Sequence, residues 1–253
     1  MNEYQKLLRI SIDTVVSACK LLKKSSWKEL SSHNFSSDLQ KEVKSKADYV
    51  LESEILKNIA PLGLPILSEE SGCISGQYES QLRFIIDPLD GTFNYVRNLS
   101  QSSISIALYK GDEPIFGVLG VYPSCDLAWG GKDFGSYLND KPISVSKVNK
   151  LNESVLCTGF PSRFQFSNTY NVNTFLEKAS TFAKVRMLGS ASVSLLQVAK
   201  GSAEVYSEQE IMLWDVAAGL AIVEGSGGLI SISSGSEEYS LNVVAANIKE
   251  RLE

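Results

Sequence analysis

The stretch Phe84-Ile85-Ile86-Asp87-Pro88-Leu89-Asp90-Gly91-Thr92-Phe93-Asn94 decides how this chain is interpreted. An apolar, strand-like run ends in two carboxylates, Asp87 and Asp90, three positions apart. The proline between them is predicted to interrupt regular structure, and the Gly-Thr pair after them supplies a tight turn and a capping hydroxyl. A bend of this kind directs two hard oxygen ligands and several backbone amides to one place. That combination suits Mg²⁺ together with a phosphate group.

The composition is that of an ordinary soluble globular enzyme. The 253 residues are 43% hydrophobic and 21% charged, with a net charge of −5, and this length fits one large domain or two lobes that share a core. The negative charge argues against direct contact with nucleic acid. Because no apolar run approaches the roughly 20 residues that span a bilayer, and the first residues lack a signal-peptide core, we expect a cytoplasmic protein without a membrane partner.

Cysteine and histidine usage excludes several kinds of catalytic site. The four cysteines are far apart and form no C-x-x-C pair, which argues against a zinc or redox motif. His33 is the one histidine of the chain, and it lies in a Ser/Asn-rich stretch that is typical of a surface loop. Zinc sites built on imidazole and Ser-His-Asp catalysis both require a suitably placed histidine, so neither is expected here.

The order of secondary-structure patterns indicates a mixed α and β protein. Helical spacing covers residues 4–24 and 47–59, and the strand-like runs that follow are joined by short turns, as in an antiparallel meander. Beyond about residue 155 strands and helices alternate, which is typical of α/β organisation. We predict an α+β lobe at residues 1–150 and an α/β lobe at 151–253, within one compact structural unit.

Further acidic residues stand at the ends of predicted elements. Glu69 and Glu70 follow an apolar run, while Asp48 and Asp215 open helices, where the helix dipole alone could explain an acid. Asp87 is harder to explain in that way, because a charge directly after a buried strand needs a partner. The partner could be one of the 24 Lys and Arg side chains, or a cation held by several carboxylates.

Three segments together resemble a known family, the inositol monophosphatases. They are Glu69-Glu70-Ser71, Asp87-Pro88-Leu89-Asp90-Gly91-Thr92-Phe93-Asn94 and Trp214-Asp215-Val216-Ala217-Ala218-Gly219. This family belongs to the Mg²⁺-dependent, lithium-sensitive phosphatases, which include the fructose-1,6-bisphosphatases. The resemblance extends from about Asp48 to Ala245. It implies a layered αβαβα sugar-phosphatase fold of the α+β and α/β classes, and a homodimer.

The resemblance also implies a role for each acidic residue. The ligands of two Mg²⁺ ions, for which Mn²⁺ could substitute, would be Glu69, Asp87, the Leu89 carbonyl, Asp90 and Asp215, with Glu70 as an outer ligand of a weaker third ion. Asp87 would bridge the first two ions.

The attacking water and the phosphate would be positioned by neighbouring groups. Glu70 and Thr92 would orient the water, and Asp48 would tune it through Thr92. The Gly91 and Thr92 amides would hold phosphate oxygens. Two ions can bind both the nucleophile and the leaving oxygen of an in-line displacement. Because a metal ion also lowers the pKa of bound water, no histidine base is required, which fits a chain with almost no histidine.

The substrate is indicated by residues on either side of these motifs. Phe93-Asn94 stands where relatives that cleave phosphoadenosine phosphate carry Lys-Glu, so the chain looks like the inositol-phosphate branch. In that branch the acid at Glu208 binds substrate hydroxyls, and the loop at Gly189, Ser190 and Ala191 approaches the polyol ring. A solvated acid at a strand end is the alternative reading of Glu208.

The expected function is therefore hydrolysis of inositol monophosphate, or of a similar small polyol or sugar phosphate, by metal-activated water. A 3′(2′),5′-bisphosphate nucleotidase and a histidinol or fructose-bisphosphate phosphatase are the enzymatic alternatives. A regulatory binding protein on the same fold is a third possibility. An ordinary α/β domain, whose acids serve as helix caps and surface charge, is the fourth.

Overall fold

The computed structural model describes residues 2–35, 43–160, 167 and 169–252. Layers of helices alternate with two large β-sheets, and this arrangement confirms the predicted layered αβαβα fold. His33 is exposed on a short strand. Among the described residues, no helix combines the length and the apolar character that crossing a bilayer would require.

Seven α-helices are present in the described part of the chain. They are α1 Glu3–Lys24, α2 Trp27–Leu30, α3 Lys46–Ile59, α4 Thr92–Val96, α5 Thr169–Ser180, α6 Ala191–Ala199 and α7 Leu213–Gly225. Helix α3 begins with a capping box in which the Ser45 and Asp48 side chains satisfy each other's backbone amides, so Asp48 is fixed in the first turn. Helix α7 is apolar on all sides and lies buried between the two large sheets.

The first large sheet has eight strands in the order β10-β9-β8-β7-β6-β5-β3-β4. Its strands are β3 Ile66–Ser68, β4 Gly72–Ile74, β5 Leu82–Asp90, β6 Ser102–Lys110, β7 Glu113–Tyr122, β8 Asp126–Gly131, β9 Gly135–Leu138 and β10 Lys141–Pro142. The strands β5 to β10 form the predicted antiparallel meander, whereas β3 pairs with β5 in parallel. A separate hairpin of β1 His33–Phe35 and β2 Val43–Ser45 precedes α3.

The second large sheet has five strands in the order β12-β11-β13-β15-β14. They are β11 Val155–Cys157, β12 Lys184–Arg186, β13 Val205–Met212, β14 Leu229–Ser234 and β15 Ser240–Ala246. The predicted lobe boundary near residue 150 falls in the connection between the two sheets, and it stays a prediction.

The layers pack in a fixed order around two main clusters of buried side chains. Helices α1 and α3 cover one face of the first sheet, with Leu51, Ile55 and Phe84 among the fully buried contacts. Helices α6 and α7 fill the space between the sheets, and α5 lies over the outer face of the second sheet. The middle helical layer therefore brings residues of both halves of the chain together.

Strand β5 continues through Pro88 rather than ending before it. The pairing of β5 with β6 shifts register between Asp87 and Asp90, so the proline lies in a bulge. At a bulge the ladder is locally interrupted, and a residue without an N–H is tolerated there. The bulge, and not the end of the strand, turns the two carboxylates toward one place.

Candidate active site

The acidic cluster forms where β3, β5 and α7 meet. Carboxylate oxygens of Glu69, Asp87 and Asp215 all lie within 4.8 Å of one another. Glu69 follows β3, which pairs in parallel with β5 so that Ser68 stands opposite Ile86. Asp215 lies in the first turn of α7, where its Oδ2 accepts a hydrogen bond of 3.3 Å from the Met212 amide. Three of the predicted metal ligands thus converge from distant segments.

Asp90 lies beside this group and is anchored to α6. Its Oδ2 accepts hydrogen bonds from the Ser190 hydroxyl at 2.6 Å, from the Ser192 amide at 2.8 Å and from the Ser192 hydroxyl. Its charge still contributes to raising the pKa of Asp87 and of Asp215. Asp90 therefore ties the β5 bulge directly to the second half of the chain.

Burial places these carboxylates in an unfavourable environment. Asp87 is fully buried, whereas Glu69 and Asp215 keep an exposed edge. Desolvation and then the neighbouring carboxylates raise the pKa of Asp87 and Asp215 well above the usual range, and desolvation together with Asp48 and Glu70 raises the pKa of Glu69 to about 8. Like charges that share a small site raise each other's pKa in this way.

A divalent cation would resolve this arrangement. The Oδ1 atom of Asp87 accepts a hydrogen bond of 2.9 Å from the Leu89 amide, but the buried Oδ2 atom has no hydrogen-bond partner among the described residues. Buried polar atoms are nearly always satisfied by protein, water or an ion. Clustered carboxylate oxygens are the donors that hard cations such as Mg²⁺ prefer, so the residues present fit such an ion.

The raised pKa values predict a pH-dependent stability for the metal-free protein. Between about pH 4.5 and pH 8, folded Glu69 keeps a proton that the unfolded chain has released. Because the folded state then binds more protons, the free energy of unfolding should fall as the pH rises through this window. Urea unfolding in EDTA at a series of pH values measures it. Excess Mg²⁺ should reduce the slope, and a free energy that rises with pH in EDTA would contradict the prediction.

Asp48, Thr92 and the Leu89 carbonyl form a hydrogen-bonded group next to the cluster. The Thr92 Oγ1 atom lies 2.9 Å from Asp48 Oδ1 and 2.8 Å from the Leu89 oxygen. The other oxygen of Asp48 accepts from the amide and the hydroxyl of Ser45 at 2.8 and 2.6 Å. A hydroxyl has one proton, so when Thr92 donates to Asp48 the Leu89 oxygen keeps both lone pairs and could face a cation. The predicted pairing of Asp48 with Thr92 is present in the structure.

Glu70 pairs with a lysine and is not one of the three carboxylates that meet in the cluster. Its Oε2 atom forms an ion pair of 3.0 Å with Lys44 Nζ, while its Oε1 atom is buried without a hydrogen-bond partner in the described part of the chain. Desolvation raises the pKa of Glu70, and the contact with Lys44 opposes that rise. The sequence prediction that Glu70 binds an outer ion or orients water stays a prediction.

Glu52 is a site residue that the sequence analysis missed. Its carboxylate accepts hydrogen bonds from the Ser68 hydroxyl at 2.5 Å, the Ser71 amide at 3.0 Å and the Ser71 hydroxyl at 2.8 Å. It therefore holds both ends of the turn that carries Glu69. The available sign was its spacing, since position 52 is one helical turn after Asp48 on the buried face of α3.

The predicted substrate loop lies against the Gly-Thr turn. A Cβ atom placed on Gly91 would lie 3.1 Å from the Ser190 Cβ and 3.2 Å from the Gly189 carbonyl oxygen, and the φ of +80° at Gly91 also favours glycine. The Ser190 side chain caps α6, whose first residue is Ala191. The structure therefore brings together Gly91 and the loop of Gly189, Ser190 and Ala191.

Glu208 is a buried acid rather than a solvated one. Its Oε2 atom accepts a hydrogen bond of 3.0 Å from the Tyr206 hydroxyl, and burial raises its pKa to about 7. Besides desolvation, the charge of Glu208 raises the pKa of Asp215, and the charge of Asp90 raises the pKa of Glu208, so Glu208 lies near the cluster. A cavity of about 510 Å³ between the second sheet and α5 is also lined by Glu208, but it does not include the acidic cluster.

Comparisons with known proteins identify the relatives of this chain. A family model described as the inositol monophosphatase family matches residues 3–252. A fructose-1,6-bisphosphatase/inositol-1-monophosphatase of Aquifex aeolicus is 31% identical over 92% of this chain and 88% of its own length. A Nus factor SuhB of Pasteurella multocida is 33% identical over 83% of this chain and 82% of its own length.

The solved structures that resemble this fold carry the same kinds of name. The inositol monophosphatase from Anabaena superimposes with a TM-score of 0.81 at 28% identity, covering 97% of this chain and 92% of that one. The extragenic suppressor protein suhB from Bartonella henselae superimposes with a TM-score of 0.85 at 26% identity, covering 98% of this chain and 96% of that one.

Proposed function

The chain belongs to the inositol monophosphatase family, and from that membership we propose that it hydrolyses inositol monophosphate, or a similar small polyol or sugar phosphate, with Mg²⁺. Membership makes it a phosphoric monoester hydrolase; the substrate and the Mg²⁺ are the proposal. One observation supports it most directly. Carboxylates from distant parts of the chain meet within 4.8 Å although one of them, Asp87, is fully buried.

The proposed Mg²⁺ would be bound by oxygen atoms that the fold already brings together. The ion-binding groups would be Glu69, Asp87, the Leu89 carbonyl, Asp90 and Asp215. When bound, Mg²⁺ supplies Lewis-acid polarisation of the phosphoryl group and lowers the pKa of bound water. Phosphoryl transfer needs little besides position and charge neutralisation, and both can come from a rigid carboxylate cluster.

The chain's own residues then bind and orient the reactants. Thr92 is held by Asp48, so its hydroxyl oxygen is fixed to accept a hydrogen bond from the attacking water and to pass its own proton toward Asp48 Oδ1. Burial raises the pKa of Asp48, which makes its carboxylate a better proton acceptor. The amides of Gly91 and Thr92 would bind phosphate oxygens at the turn that follows β5.

The substrate side is formed by the second half of the chain. Ser190 and Ala191 lie at the start of α6 against Gly91, close to where a phosphate on the turn would carry its leaving group. Glu208 is buried near the cluster, and its carboxylate could accept hydrogen bonds from neighbouring hydroxyl groups. A leaving group rich in hydroxyls, such as a cyclitol or a sugar, fits these polar groups.

A substrate panel tests the proposal. Chelator-treated protein should release no phosphate from any compound, and Mg²⁺ should restore activity on inositol monophosphate above that on adenosine bisphosphate, histidinol phosphate and fructose bisphosphate. The reverse order with adenosine bisphosphate would favour the nucleotidase. Activity that persists in excess EDTA would contradict the cofactor.

Glu208→Gln should separate substrate binding from chemistry. The KM for inositol monophosphate should rise about tenfold, because a charge-assisted hydrogen bond of roughly 1.5 kcal/mol is lost. The KM for p-nitrophenyl phosphate, whose leaving group has no free hydroxyl, should change little. An equal change for both compounds would show that Glu208 does not contact the polyol.

A binding role is the second candidate, because several relatives carry the name Nus factor SuhB. Such a role would not depend on hydrolysis. A variant that lacks phosphatase activity but still complements loss of the chain in cells would support it. A variant that loses both together would favour the enzyme.

A further inference from the structure

The ion pair between Lys44 and Glu70 lies at the edge of the acidic cluster. Lys44 Nζ is 3.0 Å from Glu70 Oε2, and the lysine reaches it from β2, at the base of the hairpin before α3. The Glu70 side chain is only 2% exposed and that of Lys44 is 33% exposed. Glu70 directly follows Glu69 in the chain, and Glu69 is a carboxylate that the proposed function assigns to Mg²⁺.

This pair differs from the other ion pairs of the described residues. Those pairs join side chains of which at least one is more than half exposed, and exposed pairs contribute little. Removing one partner of a buried pair leaves an uncompensated charge. The Lys44 charge also opposes the rise in the pKa of Glu69 that burial causes. Lys44 thus acts on the cluster and not only on its direct partner.

An ammonium and a divalent cation cannot both use the same face of the Glu70 carboxylate. Mg²⁺ requires oxygen ligands at about 2.0–2.1 Å in a near-ideal octahedron, whereas Oε2 already faces Nζ at 3.0 Å. Whichever cation occupies this position therefore excludes the other.

We propose that Lys44 is a built-in cation that occupies the outer ion position at Glu70, so that the chain holds its catalytic ions between Glu69, Asp87, Asp90 and Asp215 and takes up no further ion at Glu70. This inference rests on the proposed function, because it assumes that the carboxylate cluster binds divalent ions. It assigns Glu70 to an ion pair instead of the outer metal ligand that the sequence analysis predicts.

The surroundings give a solvent ion access to this position once Lys44 is removed. Lys44 lines a cavity of about 490 Å³ together with Ser45, Lys46 and Tyr49. The Glu70 Oε1 atom, buried and without a hydrogen-bond partner among the described residues, would be free to bind the water shell of an incoming ion. Loss of the ammonium would leave a buried carboxylate that attracts a replacement cation.

Counting bound Mn²⁺ tests the inference. Chelator-stripped protein is titrated with Mn²⁺, and the ions bound per chain are measured from the electron paramagnetic resonance of free Mn²⁺. Lys44→Met should bind one ion more than the wild type, and Lys44→Arg should match the wild type. Lys46→Met is the matched control, because it removes the same charge from the same cavity without touching Glu70. Adding Glu70→Gln to Lys44→Met should abolish the extra ion.

The outcomes separate this inference from the proposed function. A wild type that binds no Mn²⁺ would refute the proposed cofactor itself. A wild type that binds ions, together with a folded Lys44→Met variant that binds the same number with the same affinity, would overturn the inference alone. If Lys46→Met also binds an extra ion, the loss of one positive charge explains the effect, and the inference is overturned as well. Circular dichroism of each variant establishes folding before the titration.

Discussion

Asp87→Asn is expected to lower kcat/KM for phosphate release by about 10³-fold or more. Asp87 is the fully buried member of the cluster, and its Oδ2 atom has no partner among the described residues. An amide has one neutral oxygen in place of two that share a negative charge, so the site would lose a ligand that the proposal assigns to Mg²⁺. Metal polarisation supplies several kcal/mol of transition-state stabilisation, and each 1.36 kcal/mol is a factor of ten in rate.

Asp87→Asn should lower activity but raise the stability of the metal-free protein. Desolvation and then the neighbouring carboxylates raise the pKa of Asp87, so a neutral side chain of equal size removes both the cost of burying a charge and their repulsion. In EDTA at pH 8 the free energy of unfolding should therefore rise. Asp13 is an exposed carboxylate on α1 that pairs with Arg9. The control Asp13→Asn should change neither kcat/KM nor the free energy of unfolding in EDTA. An Asp87→Asn variant that is both active and less stable would refute the site.

Gly117→Ala is expected to destabilise the protein by about 3 kcal/mol, at the upper end of overpacking effects. Gly117 lies on β7 against α7, and an added Cβ would stand 2.5 Å from the Ala218 Cα and 2.6 Å from its carbonyl carbon. Both atoms are backbone, so the helix must move. The melting temperature should fall by roughly 2–4 °C for each kcal/mol.

Activity should fall as well in Gly117→Ala, because α7 carries Asp215 in its first turn. A displacement of about 1 Å can cost about 10²-fold in rate. Gly111→Asn is the control, since its position in the turn between β6 and β7 has a φ of +59° and nothing lies within 4 Å of an added Cβ. Asparagine tolerates that conformation. Equal effects of both substitutions would contradict the close approach of α7.

The sequence predicted those parts of the site that depend on local patterns. The bend at Asp87 and Asp90 and the first-turn position of Asp215 follow from short motifs, whereas the layered fold follows from the family resemblance. The convergence of Glu69, Asp87 and Asp215 follows from the family resemblance, and their carboxylate oxygens meet as expected. The Asp48 contact with Thr92 was likewise expected and is present.

The parts that sequence reasoning missed depend on contacts between distant segments. Glu52 holds the turn around Glu69 from another element, and Ser192 holds Asp90 from the second half of the chain. Lys44 on β2 meets Glu70 across a separation of 26 residues in the sequence. Each of these residues has an ordinary polar character in its own segment. No local periodicity marks such a partner, because only the tertiary fold brings it into place.

The position of Asp215 on α7 has a consequence for the order of events during translation. The ribosome releases Glu69, Asp87 and Asp90 well before Asp215, the last of the carboxylates that the proposal assigns to Mg²⁺. A nascent chain that ends before α7 therefore lacks one carboxylate of the proposed metal site. Because β14 and β15 follow α7 in the chain, the helix can be enclosed between two complete sheets only once these strands have also been made. We therefore expect activity to begin late in synthesis.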